Sequence, residues 1–220
     1  MKDKLRGNYE KDNYKLEIFN RVSKGSKVLE VGCNLGNLGR DLINKKGCIV
    51  YGIDFYAPSI ELAKKRLTQA KIFDLEKYTL PFQEKFDLII FEDVLEHIRY
   101  PEEILKIYKK LLNLQGKILV SIPNVANIKI RFALMFGNWN YKNSGILDKS
   151  HFKFYTKKTA LSLLSNAGYH PKIVDFTPGA SFIFFRFYPI LQKIRKFLCS
   201  LNIALFSTHF IKFLISSIYI

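Results

Sequence analysis

Between Lys27 and Ile43 a short apolar run, Val28 to Val31, gives way to a glycine-rich turn, Gly32 to Gly39, and then to the start of a helical pattern. A strand that enters a glycine turn and leaves as a helix is how α/β proteins present backbone to a nucleotide at the carboxyl end of a sheet. The glycines matter because a Cβ would collide with a ligand lying on the turn or forbid positive φ. Their spacing, at 32, 36 and 39, excludes two common ligands. The dinucleotide pattern Gly-x-Gly-x-x-Gly lacks its middle glycine, and no Gly-Lys-Ser/Thr follows to make a phosphate loop.

The same unit recurs along the chain. Cys48–Ile53 is a second buried-strand run and stops at Asp54, placed to accept hydrogen bonds from a ribose diol. A helix is expected at about 57–68, then a third strand, Ala70–Phe73, which ends in Asp74. Phe86–Phe91 is the fourth strand and runs into Glu92-Asp93-Val94-Leu95-Glu96-His97-Ile98. Pro101 opens a helix whose apolar residues Ile104, Leu105, Tyr108, Leu111 and Leu112 recur at helical spacing. Lys117–Ile122 is the fifth strand, followed by Pro123 and Asn124. Strands alternating with helices imply a Rossmann-like, doubly wound α/β sheet with helices on both faces. Asp54 and Asp74 are equally suited to capping a helix, so each acid taken alone reads either way.

Taken together, these residues resemble a known family. Glu30-Val31-Gly32-Cys33-Asn34-Leu35-Gly36 is similar to the first motif of class I S-adenosylmethionine-dependent methyltransferases, Glu/Asp-x-Gly-x-Gly-x-Gly. Asn34 replaces the middle glycine, and Asn is the other residue that best tolerates left-handed backbone. Asp93 to Ile98 resembles the Val-Leu-Glu-His segment of small-molecule methyltransferases, quinone O-methyltransferases and sugar-modifying enzymes among them. The resemblance implies S-adenosyl-L-methionine as cofactor. Its expected contacts are Glu30, Gly32, Cys33, Asn34 and Gly36 in the turn, Asp54 and Phe55 after strand two, Asp74 and Leu75 at the adenine, and Glu92 and Asp93 after strand four. It also implies seven strands, mostly parallel with an antiparallel last strand. Lys172–Phe176 and His209–Ile215 are the expected sixth and seventh.

Residues 124–156 should cover the methyl acceptor. Gly145-Ile146-Leu147-Asp148-Lys149-Ser150-His151-Phe152-Lys153-Phe154-Tyr155-Thr156 resembles a Leu-Asp-x-x-His-x-Arg-Phe-Phe-Thr segment of bacterial methyltransferases common among cell-surface glycan enzymes. Lys153 and Tyr155 stand where that pattern has Arg and Phe. Thr156 suits the cap of a helix from Lys157 to Asn166 that Gly168 terminates. Glu96, Asn124, Trp139, Tyr141, Phe152 and Phe154 are the expected acceptor-binding residues, since rings and sugars both pack on aromatics. An ordinary hydrophobic cap over the sheet would use the same aromatics. The expected acceptor is a sugar or glycan precursor, with a quinone-type acceptor as the alternative. A catalytically silent protein docking to a membrane or partner is a third reading.

Methyl transfer to a hydroxyl needs alignment and a base, and a histidine titrates in the right range. His151 is the first candidate, because it lies in the acceptor segment, and His97 the second. Either could instead serve the fold as a cap. His170 and His209 read as structural. Asp93, Glu96 and His97 share a helix face and could ligate a cation, but suit Mg²⁺ or Mn²⁺ at best moderately, so no metal is expected.

Composition bounds the remainder. At 220 residues the chain reads as one domain, with an N-terminal helical cap at 1–25 and a basic aromatic connecting segment at 177–207. Cys33, Cys48 and Cys199 form no metal-spaced pair and read as reduced thiols of a cytoplasmic protein. Residues 101–220 hold 17 Lys and Arg against four Asp and Glu, and after Glu103 the only acids are Asp148 and Asp175. Such a polarised chain reads as lysine-rich solvated helix faces, or suits an anionic leaflet or a phosphorylated acceptor, and a basic amphipathic helix near 186–204 is the segment that could make peripheral contact with the inner face of a membrane. Nucleic acid is disfavoured, since no added binding module or Asn/Asp-Pro-Pro-Tyr signature is present.

Overall fold

The computed structural model describes residues 13–178 and 210–218. In chain order the elements are α1 (Asn13–Arg21), β1 (Lys27–Val31), α2 (Asn37–Lys46), β2 (Ile49–Asp54), α3 (Ala57–Ala63), β3 (Gln69–Ile72), β4 (Phe86–Glu92), α4 (Pro101–Tyr108), β5 (Leu112–Pro123), α5 (Ile128–Met135), α6 (Lys157–Asn166), β6 (His170–Pro178) and β7 (Phe210–Ile218). They build one sheet in the order β3-β2-β1-β4-β5-β7-β6. The first five strands run parallel, while β7 lies antiparallel to both β5 and β6. Strand order reverses between β1 and β4. A crevice therefore opens beyond the carboxyl ends of those two strands, where α/β sheets bind their ligands.

Alternate residues of the central strands feed two cores. Leu29, Val31, Ile89, Phe91, Ile118 and Val120 pack with Ile104, Leu105 and Tyr108 of α4 and Ala160 and Leu164 of α6. Val28, Val50, Ile90 and Leu119 face the other way, onto Ile18 of α1, Leu42 of α2 and Ile60 of α3. Both faces are covered, so the strands read as continuous apolar runs rather than alternating ones. Each fully buried aliphatic side chain contributes about 1.5–3 kcal/mol of transfer free energy.

Several boundaries differ from those expected. The helix expected at 57–68 ends at Ala63, because the chain tightens through i to i−3 bonds from Lys65 N–H to Leu62 and from Arg66 N–H to Ala63. Arg66 is then drawn to Leu35 O and Asn37 Oδ1, both at 2.8 Å. That turn delivers Leu67 onto the glycines. A Cβ at Gly39 would stand 2.3 Å from Leu67 Cδ2, and one at Gly52 2.5 Å from Leu67 Cδ1. Part of the glycine pattern therefore serves helix–strand packing rather than a ligand. β6 extends to Pro178, so residues 177 and 178 belong to the strand and not to the connecting segment. β7 begins at Phe210 and runs to Ile218, three residues past its expected end. His209, Cys199, residues 1–12 of the N-terminal cap and residues 179–207 of the connecting segment lie outside the described residues.

The segment 124–156 leaves and rejoins the sheet at one place. Asn124 and Tyr155 form a parallel bridge, and Val125 N–H donates to Tyr155 O at 2.8 Å. Thr156 then caps α6 with a reciprocal pair, its Oγ1 accepting from Thr159 N–H and Thr159 Oγ1 accepting from Thr156 N–H at 2.9 Å. Such a capping box typically contributes about 1 kcal/mol.

Candidate functional site

β1 gives way to Gly32, whose φ is +75° and whose added Cβ would stand 2.5 Å from Val94 Cγ2. Only glycine fits there. Asn34 follows at φ +48°, the left-handed backbone expected of it. Three bonds hold the turn: Cys33 N–H donates to Ile53 O at 3.0 Å, Asn34 N–H to Asp54 Oδ2 at 2.9 Å, and Ser59 Oγ to Asn34 Oδ1 at 3.1 Å. Asp54 Oδ1 accepts from Tyr56 N–H at 2.9 Å. Asp54 thus organises both the glycine turn and the entry to α3 while remaining half-exposed. Phe55 beside it is 78% exposed. Asp74 Oδ1 caps the short 3₁₀ turn Leu75–Lys77 through Glu76 N–H at 2.9 Å, and its carboxylate is exposed at the same rim.

Behind the turn lies an acid with unusual chemistry. Glu30 is 3% exposed, and its Oε2 has no hydrogen-bond partner. Burial first, then the nearby Glu92 and Asp54 charges, push its pKa up to about 8, against the opposing pull of Lys15 and of the Gly39 N–H. Lys15 of α1 reaches over to Glu92 at 3.4 Å. A buried carboxyl with one oxygen unpartnered, beside two further acids, is an environment that favours positive charge. Burial also raises the pKa of Cys33, which keeps that thiol protonated and unreactive.

The β4 tip carries the second half of the site. Asp93 sits at φ +52° and accepts from Ser121 Oγ of β5 at 2.8 Å. The following 3₁₀ turn, Leu95–His97, buries Glu96 to 1% exposure. The Glu96 carbonyl accepts the N–H groups of Phe152 and Lys153 at 2.8 and 3.1 Å, which ties the 124–156 segment to the β4 tip. His97 and His151 consequently meet edge to face, centroids 4.7 Å apart. His97 Nδ1 is 3.1 Å from Ser150 O, and His151 Nδ1 is 3.0 Å from Ile146 O. A carbonyl only accepts, so both Nδ1 atoms carry the proton in the neutral rings and Nε2 keeps the lone pair. Burial holds the His151 pKa below that of a free imidazole. Its Ile146 bond opposes this, the His97 charge adds to it, and Asp148 and Asp93 oppose it.

Three of the expected acceptor aromatics gather beside His151. Phe154 lies 6.2 Å from the His151 ring, 5.4 Å from Trp139 and 6.1 Å from Tyr141. Phe152 does not join them; it points away, under the Arg99 guanidinium at 5.3 Å. Asn124 is fully buried and its Oδ1 accepts from Ala126 N–H, which shapes the turn out of β5. The cation-capable set also differs from the one expected. Glu96, His97 and His151 bring one donor atom each within 4.8 Å of one another, with His151 in the place foreseen for Asp93.

Lys15, Ser59, Ser121 and the Asp148–Ser150 turn were not anticipated from sequence. Ser150 donates through its N–H and its Oγ to Asp148 Oδ1, at 2.8 and 2.6 Å, which fixes the loop that carries His151. An Asp-x-Ser turn is a legible signal for that. Lys15 gives none, since its role depends on how α1 packs.

Comparison with known proteins matches residues 6–171 to a family described as "Methyltransferase domain". The ubiquinone biosynthesis O-methyltransferase of Coxiella burnetii is 31% identical over 170 residues, covering 70% of this chain and 71% of that protein. The protein of the same description from Pasteurella multocida is 32% identical over 115 residues. That match covers 46% of this chain and 47% of the relative, so it spans about half of the relative's length. Among solved structures, a SAM-dependent methyltransferase from Archaeoglobus fulgidus superposes with a TM-score of 0.66 over 99% of this chain and 97% of its own, at 18% identity.

Proposed function

The chain belongs to the S-adenosylmethionine-dependent methyltransferase family, and from that premise we propose that it methylates a hydroxyl group on an aromatic, quinol-type acceptor. The observation that carries the reading is the His151 ring, held through Nδ1 by Ile146 O, its centroid 6.2 Å from that of Phe154 and its charge state coupled to Asp93 at the β4 tip. The curated relatives named for ubiquinone biosynthesis favour an aromatic hydroxyl over the sugar hydroxyl expected from the sequence.

The cofactor fits the residues present. Gly32 and Asn34 hold the turn in left-handed backbone, and Glu30, Glu92 and Asp54 supply negative charge for a sulfonium and an ammonium. When bound, S-adenosylmethionine supplies a methyl group that is already electrophilic. Asp54 and Asp74 would hold its ribose and adenine, and Glu30 and Glu92 its charged end. The chain's own part is then positioning and proton removal. Trp139, Tyr141 and Phe154 flank an aromatic ring, Glu96 braces the acceptor segment through its carbonyl, and His151 takes the hydroxyl proton on Nε2. Alignment and general base catalysis are the two sources of rate here.

The charge of the cofactor leads to a pH prediction. Glu30, with its pKa near 8, is protonated in the free protein at pH 7. A bound cation favours the ionised form, so binding releases close to one proton at pH 7. Affinity then rises with pH up to about 8, by at most ~10-fold per unit, and is flat above that. Calorimetry in buffers of different ionisation enthalpy measures the proton, and Glu30→Gln is expected to remove it. Uptake of a proton, or none, would overturn this account of Glu30.

The acceptor is tested with methyl-labelled cofactor and two substrates, an alkylated catechol and a sugar nucleotide. Label on a phenolic oxygen is expected. Label on the sugar alone restores the glycan reading, and failure of the parent chain to bind cofactor rejects enzymatic function altogether.

A further inference from the structure

α5 has no buried side chain. Along its eight residues Phe132 and Leu134 are each 54% exposed and Met135 66%, and Phe136 beyond its end is 74% exposed. A helix apolar on every side is ordinarily enclosed by protein or lipid. Here the apolar character is graded along the axis rather than around it. Lys129 and Arg131 are exposed near the first turn, and Leu134, Met135 and Phe136 form the far end before Gly137 turns the chain. Exposed Lys142, Lys149 and Lys153 lie in the same segment, and no acid occurs between Glu103 and Asp148.

We infer that α5 is a membrane-docking wedge whose occupant is an anionic phospholipid bilayer. The apolar tip enters the acyl boundary while Lys129 and Arg131 stay at the level of the lipid phosphates. Charge selects this occupant over a second copy of the chain. A twofold contact through α5 would set the Lys129 and Arg131 collars of two molecules, each with net charge +16, against one another. The wedge does not span: among the described residues no helix is long and apolar enough to cross a membrane. Because α5 follows directly from the Asn124–Asn127 turn at the carboxyl rim, docking brings the acceptor side of the site toward lipid. This inference stands apart from the choice of acceptor, since it is read out without any methyl transfer.

The test is co-sedimentation of the full chain with vesicles of phosphatidylglycerol and phosphatidylcholine in equal parts, against vesicles of phosphatidylcholine alone. The parent is expected to bind the anionic vesicles and to be released by salt. Leu134→Ser, Met135→Ser and Phe136→Ser combined should lower the partition coefficient at least tenfold with the melting temperature unchanged, since all three side chains are exposed. Lys129→Glu with Arg131→Glu should do the same and flatten the salt dependence. A triple variant that binds like the parent would overturn the inference, because another part of the chain would then hold the lipid. So would a parent that binds neither vesicle, or a dimer in sedimentation equilibrium that the triple variant dissolves.

Discussion

Asp54→Ala is expected to weaken S-adenosylmethionine binding at least a hundredfold while the chain stays folded. Both oxygens of this carboxylate accept backbone N–H groups, from Asn34 and from Tyr56, each at 2.9 Å. The two bonds lie at an exposed rim, so water can take their place and the stability lost is about 1–2 kcal/mol. Binding loses more. Asn34 is held at φ +48° by this bond and by Ser59 Oγ, and without it the glycine turn is no longer set before the ligand arrives. In the proposed cofactor site the ribose diol would also lose its charged acceptor. A factor of a hundred corresponds to about 2.7 kcal/mol, within the range of hydrogen bonds to a charged group. Asp54→Asn separates the two roles: it keeps one acceptor oxygen, so it can retain one backbone bond, and a loss of roughly tenfold is expected. Calorimetry with the cofactor reads all three proteins. Binding by Asp54→Ala within threefold of the parent would reduce Asp54 to a turn former.

How far such a site is legible beforehand depends on the kind of signal each residue carries. β1, β2 and β4 are short runs enclosed on both faces, and an acid or a glycine ends each of them, so their limits fall within a residue or two of those expected. β5 starts five residues earlier than expected, at Leu112, because its first part pairs with Phe86 before a register shift and a left-handed Gln115. α5 was not anticipated at all. Apolar residues without a helical period give no amphipathic signal, although Asn127 caps it and Gly137 follows it. The turn acids were identified as a group, yet Asp74 shows why one acid is ambiguous: it caps a helical turn and faces the rim at once. Lys15 and Ser121 lie 77 and 28 residues from Glu92 and Asp93, the acids they meet, and only the folded sheet brings them there. The same holds for the two histidines, 54 positions apart in sequence and in ring contact once Glu96 O has bound the 152–153 backbone.

His151→Ala should lower kcat at least a hundredfold and leave cofactor affinity unchanged, the signature of a group used only after binding. The ring stands 3.0 Å from Ile146 O through Nδ1, so its removal also loosens the loop held by Asp148 and Ser150. His151→Asn is the variant that keeps these effects apart. Its side-chain amide can donate to Ile146 O in place of Nδ1, but it offers no basic nitrogen. A base predicts that Asn is as inactive as Ala; recovery of turnover by Asn would make His151 a positioning residue. The pH profile supplies a second reading. Burial and the adjacent His97 lower the His151 pKa, so the neutral, proton-accepting form persists to lower pH than in a free imidazole. With the cofactor saturating, kcat should therefore rise tenfold per pH unit only in the acid range and be level across neutrality. His97→Ala removes a neighbouring positive charge and should move that acid limb upward, with a smaller fall in kcat. The three-donor arrangement of Glu96, His97 and His151 adds one control. A base works in the presence of a chelator, whereas a metal ligand does not. Turnover that survives EDTA and disappears in both His151 variants assigns the proton to Nε2, and turnover in His151→Ala within threefold of the parent would remove the histidine from the chemistry.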